Sequence, residues 1–231
     1  MQLPVPQHLY KYRPVDANAL AMLASDKLFL SPLDAFNDPF EALNLNPTLE
    51  PKLAAYQHGT FAISETPSQA EHVGTSLRAC SLSEECQDLL MWGHYADRHR
   101  GFCIRFYFGK DLQLAKLLFP IDYEPSVPQE NNDKQDPLNK AINDTLKKSE
   151  KWSYEREWRV IGQLPEDEPN TAELFATYNP DTISGIIFGV RTAELHKALI
   201  RKILHDHRLE YFQAEKQRDT FALKIQPLPT G

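Results

Sequence analysis

The sequence predicts an α+β fold, a single globular domain over 1–231 built around a mixed, mainly antiparallel sheet with flanking helices. Three observations predict it. Strand-like and helix-like stretches follow one another without the regular strand–helix–strand alternation of a parallel sheet. The C-terminal part is the most plainly patterned, with an apolar run at 183–190, a helical stretch and two alternating strands. The composition, 42% hydrophobic and 10% aromatic over 231 residues, is globular and sufficient for one large core.

In chain order, 9–13 alternates as a short strand, and Asp16 is placed to cap a helix carrying Ala19, Leu20, Met22 and Leu23. A strand over 27–31 follows. Asn37-Asp38-Pro39 then imposes a turn, because a proline keeps the preceding residue out of the α region, and Phe36 and Phe40 anchor the loop on either side. The stretch 45–76 is proline-broken and weakly patterned. A strand is expected at 77–81, a helix over 84–99 with Leu89, Trp92, Tyr95 and Ala96 on one face and Gly101 just beyond its end, and a strand over 102–108. Further on come a strand at 119–123, an exposed loop over 124–136 and a helix over 137–148. The chain closes with a strand at 183–190, a helix capped by Thr192 and running to His205, and strands at 209–213 and 220–226.

The 25 basic and 32 acidic residues leave a net charge of −7, which argues against broad binding to a phosphate backbone. Cys80, Cys86 and Cys103 show no paired spacing and are read as reduced thiols of a cytoplasmic protein. The N-terminal residues do not form a signal peptide, and no apolar run reaches the ~20 residues that cross a bilayer, so no membrane partner is expected.

The densest chemistry lies in Lys151-Trp-Ser-Tyr-Glu-Arg-Glu-Trp-Arg159. Read as a strand, Trp152, Tyr154, Arg156 and Trp158 point one way, while Glu155, Glu157 and Arg159 point the other. Two carboxylates on one face repel unless a cation, a ligand or a shared proton intervenes, which makes Glu155 and Glu157 the leading site candidates, with Arg159 beside them. Read as a helix, the same residues form an ordinary amphipathic surface with Glu155 and Arg159 one turn apart.

Met91-Trp-Gly-His-Tyr95 is a second candidate. On a helix His94 shares a face with Asp97 and could act as a base, with Trp92 and Tyr95 lining a pocket; the plainer reading makes the aromatic stripe part of the core. Asn37 and Asp38 offer hydrogen bonds to a ligand near Ser31, or merely close a turn. Lys11 and Arg13 share one face of the first strand and suit a phosphate, or a solvated edge. His94 and His99 are five residues apart and lack companion ligands, so no metal is expected.

Leu9-Tyr-Lys-Tyr-Arg13, Leu28-Phe-Leu-Ser-Pro32, Phe36-Asn-Asp-Pro-Phe-Glu41, Met91-Trp-Gly-His-Tyr95, His99-Arg-Gly-Phe-Cys-Ile104 and Trp152-Ser-Tyr-Glu-Arg-Glu-Trp-Arg159, in this order, resemble the bacterial domain-of-unknown-function family numbered 2971. The resemblance implies a bacterial cytoplasmic protein with a defence or toxin association. The order of a basic first strand, a serine-ending strand and a late Glu-x-Glu segment is also similar to ADP-ribosyltransferases. That likeness implies NAD as substrate, with Arg13 or Lys11 holding it, Ser31 lining the nicotinamide pocket and Glu157 or Glu155 stabilising the transition state.

Three functions follow as expectations. The first is an NAD-using ADP-ribosyltransferase or NAD glycohydrolase whose macromolecular acceptor the sequence does not name. The second is a non-catalytic module binding a nucleotide-like ligand or a partner. The third is a hydrolase or nuclease built on His94 and Asp97.

Overall fold

The computed structural model describes residues 5–40, 75–127, 136–165 and 167–229. Residues 45–74 of the weakly patterned stretch, Glu41 and most of the 124–136 loop lie outside the described residues. The fold is α+β, organised by one large sheet. Its strands are β1 (Leu9–Arg13), β2 (Lys27–Pro32), β3 (Leu77–Ser83), β4 (Phe102–Phe106), β5 (Leu118–Pro120), β8 (Glu157–Gln163), β9 (Leu174–Thr177), β10 (Ile183–Phe188), β11 (Glu210–Lys216) and β12 (Leu223–Pro227). They run in the order β12-β11-β10-β4-β1-β3-β2-β9, with β8 along β3 and β5 along β8. Pairing is antiparallel except between β10 and β11. Two further strands, β6 (Asp122–Glu124) and β7 (Lys147–Ser149), form a small parallel pair.

Period-two alternation distributes side chains to two faces. Phe102, Ile104 and Phe106 of β4 and Ile186 and Phe188 of β10 enter one core with helices α1 (Ala17–Ser25) and α5 (Glu194–Ile203). Cys103 and Ile187, on the opposite face, pack with Met91 and Trp92 of α2 (Leu89–Tyr95). A third cluster joins Leu77, Ala79 and Ile161 to Ala141 of α4 (Pro137–Thr145). The short helix α3 (Leu112–Ala115) completes the set. No helix among the described residues is long and apolar enough to cross a membrane.

Several elements differ from expectation for local reasons. Asp16 caps α1 through Ala19 N–H at 2.7 Å as its sequence position predicts. The helix expected over 84–99 shrinks to 89–95. Before it, the Ser83 hydroxyl and the Glu85 carboxylate take the N–H groups of Glu85, Cys86 and Gln87, so the backbone turns instead of coiling until Asp88 caps Leu90 and Met91. After it, Asp97, Arg98 and His99 all adopt positive φ, which ends the helix and removes the one-face relation of His94 and Asp97. Gly101 is not the helix's end residue. It sits where a Cβ would come within 2.1 Å of the Arg13 carbonyl, so its lack of a side chain lets β4 begin against β1.

The helix expected to reach 148 stops at Thr145, whose hydroxyl turns back to the Ala141 carbonyl at 2.8 Å, and Lys147–Ser149 becomes β7. Thr192 does not cap α5; its hydroxyl donates to the Gly101 carbonyl at 2.6 Å. The run over 119–123 splits at buried Ile121 into β5 and β6, which belong to different sheets. The segment read as a strand over 152–159 is a 3-10 helix through Glu155, and the strand begins only at Glu157. Arg156 joins the two in a left-handed conformation at φ 44°. The shared environment of Glu155 and Glu157 therefore comes from a turn and not from strand alternation.

Candidate functional site

The site is an opening in the sheet. Along one edge β3 carries β8 over its whole length, in register from Leu77↔Gln163 to Ser83↔Glu157. Along the other edge it meets β1 at Tyr10↔Ser83 and β2 at Ser31↔Ala79 and Pro32↔Arg78. Ser81 lies between these meeting points, where β1 and β2 part. Its carbonyl is taken by the Lys11 ammonium at 2.8 Å in place of a strand partner. A cavity of about 230 Å³ occupies this opening. Lys11, Ser81, Ser83, Glu155, Glu157 and Lys148 supply polar groups to its wall, and Tyr10, Tyr12, Phe36, Met91 and Tyr95 supply most of its apolar surface.

One side is a buried ion network. Lys148 Nζ lies 2.7 Å from Glu155 Oε2 and 2.7 Å from Glu157 Oε2. Arg159 Nε reaches Glu157 Oε1 at 2.8 Å, and its guanidinium also bonds the Thr145 carbonyl. Strand alternation in β7 points Lys148 inward, while Lys147 turns outward to Asp122 and Glu124. Burial alone would raise the Glu157 carboxyl, but Arg159 and Lys148 outweigh it and hold the group well below the usual glutamate value. The Glu157 N–H donates to the Tyr123 hydroxyl at 2.8 Å, and burial pushes that phenol up to about 12.

The other side is held by helix α2 and the Phe36-Asn37 turn. The Tyr95 hydroxyl donates to Glu155 Oε1 at 2.6 Å, while burial and Glu155 raise its pKa. The Phe36 ring stacks on the Arg159 guanidinium at 4.9 Å. Tyr12 anchors the floor: its hydroxyl donates to the Glu85 carbonyl at 2.8 Å, and its ring meets Trp92 edge-on at 5.2 Å.

The sequence-predicted residues thus divide. Lys11, Asn37, Tyr95, Glu155 and Glu157 line the one cavity. Arg159 stands behind it as the partner of Glu157. Trp92 is fully buried with its indole N–H on the Cys86 carbonyl, so it belongs to the core. Arg13 pairs with Asp16 at 3.6 Å outside the cavity, and Ser31 lies in the β2–β3 ladder. Asp38 lines a second cavity. His94 is exposed against Tyr95, and Asp97 pairs with Arg100 at 3.9 Å. Among the described residues no group of three His, Cys, Asp or Glu is arranged to hold a metal ion.

Sequence reasoning missed Lys148, which the helical reading of 137–148 placed at a helix end. The available signal was the glutamate pair itself, since two close carboxylates on a packed element need a nearby cation. Ser81 and Ser83 were also missed, because nothing local marks the place where two strands leave a third.

No curated protein and no solved structure matches the chain. The likeness to ADP-ribosyltransferases therefore gains no support from these comparisons. Residues 91–160, which run from α2 through the ion network into β8, match the family model described as Protein of unknown function (DUF2971).

Proposed function

We propose that the opening between β1, β2 and β3 binds a small, anionic, nucleotide-like ligand. The observation that carries this reading is the charge of Lys11. Among the described residues Lys148 and Arg159 are matched by Glu155 and Glu157, whereas Lys11 lines the cavity with no carboxylate partner. Its ammonium spends one donor on the Ser81 carbonyl and has others for a phosphate or carboxylate. Tyr10, Phe36 and Tyr95 offer ring surface for a planar base. At about 230 Å³ the cavity lies below the ~300 Å³ at which drug-sized sites begin, so it suits a mononucleotide or one end of a larger ligand. The direct test is a thermal shift with adenosine monophosphate and nicotinamide mononucleotide. Stabilisation that Lys11→Ala removes supports the reading, and no shift with either ligand at millimolar concentration contradicts it.

A second reading is cleavage of the nicotinamide–ribose bond of NAD. It is favoured by Glu155 and Glu157 lining the same cavity as Lys11. In that reaction the bonding pair leaves with nicotinamide, a carboxylate stabilises the positive charge left on the ribose, and water or an acceptor nucleophile then bonds to that carbon and releases a proton. Glu155 is the better candidate, because Glu157 is held by two cations, Arg159 and Lys148, whereas Glu155 meets one cation, Lys148, and the neutral Tyr95 hydroxyl. The binding reading ranks first because each carboxylate has a cation within 2.8 Å that offsets the field it would apply to a substrate. Nicotinamide release by the purified protein, abolished in Glu155→Gln, would reverse this order.

A further inference from the structure

A second cavity, of about 260 Å³, shares Lys148 with the first and is also lined by Asp38, Lys147, Lys151 and Glu124. Asp38 is 4% exposed. Its Oδ1 accepts the Phe40 N–H at 3.0 Å and closes the turn, but its Oδ2 is buried without a hydrogen-bond partner. A buried carboxylate oxygen with no donor is costly, and beside a cavity it marks the place where a ligand donor fits.

The surrounding charges define that donor. Lys147 is matched by Asp122 and Glu124, and Lys148 by Glu155 and Glu157. Lys151 is exposed and pairs with no carboxylate among the described residues. With Lys147 and Lys148 matched, the Lys151 ammonium is the charge a ligand meets at this wall and disfavours a cationic one, so the group meeting Asp38 is taken as a neutral donor. One carboxylate oxygen accepts two hydrogen bonds, which matches adjacent hydroxyls, and the Lys151 ammonium at the rim suits an attached phosphate.

We infer that this second cavity is a binding site for a sugar phosphate, whose vicinal hydroxyls donate to Asp38 Oδ2 while its phosphate meets Lys151. The inference does not depend on what fills the first cavity.

Calorimetric titration of the full chain with ribose 5-phosphate and with 2-deoxyribose 5-phosphate tests it. Ribose 5-phosphate binds, the deoxy sugar binds about tenfold more weakly, and Asp38→Asn or Lys151→Ala each weakens ribose 5-phosphate by about tenfold, as loss of a charge-assisted hydrogen bond requires. The asparagine keeps the oxygen that closes the turn, and the comparison of the two sugars on the unaltered chain needs no variant. No binding of ribose 5-phosphate, or equal affinity for the two sugars, overturns the proposal. Binding that Lys11→Ala abolishes and Asp38→Asn leaves intact would also overturn it, placing the sugar phosphate in the first cavity while sustaining the reading of that site.

Discussion

Lys148 and Glu155 meet at 2.7 Å although one belongs to a short strand and the other ends a 3-10 helix, and both side chains are almost fully buried. The same ammonium holds Glu157 at 2.7 Å. One lysine therefore fixes the turn that brings both carboxylates to the cavity wall.

Removing that lysine leaves two buried carboxylates short of a cation. Lys148→Met is expected to lower folding stability by about 3–5 kcal/mol, the usual result of breaking a buried ion pair from one side. Urea denaturation measures it. Adding Glu155→Gln to the variant should restore part of the loss, because the uncompensated charge is then reduced.

Acid should act through Glu157. Its folded carboxyl is depressed, so its ion pairs contribute fully above the ordinary value of 4.5, and that contribution is lost as pH falls toward about 2. The urea midpoint is expected to decline across this range with a shallower slope in Glu157→Gln. Identical slopes for the two proteins would show that Glu157 is not the group involved.

Tyr95 joins helix α2 to the ion network through the 2.6 Å bond from its hydroxyl to Glu155. Tyr95→Phe keeps the ring and removes the donor, for an expected loss of about 1.5 kcal/mol, the low end for a bond to a charged group because the side chain is only half buried. The same variant should weaken any ligand of the first cavity, since it frees Glu155, which lines that cavity, from one of its two partners.

Much of the fold was legible because its determinants are local. Alternation marks β1, a continuous apolar run marks β10, and the Asp16 cap starts α1 where the sequence places it. The elements misread are those decided by single conformations or distant partners. Nothing in Ser153-Tyr-Glu-Arg-Glu157 announces that Arg156 takes a left-handed φ, and the strand reading paired Glu155 with Glu157 by a mechanism the chain does not use. For the site, residue chemistry pointed to Lys11, Asn37, Tyr95, Glu155 and Glu157, which the fold gathers around one opening. Arg13 and Ser31 were weighed by chemistry alike, but the register of β1 and β2 places them outside it.

In the proposed binding function, Lys11 is the charge that selects the ligand. Calorimetric titration of the unaltered chain and of Lys11→Ala with adenosine monophosphate and nicotinamide mononucleotide tests this most directly. At least one of the two should bind, with affinity falling about tenfold or more in the variant and less steeply dependent on salt. Equal affinity of both proteins for every ligand that binds, or no binding at all, would contradict it.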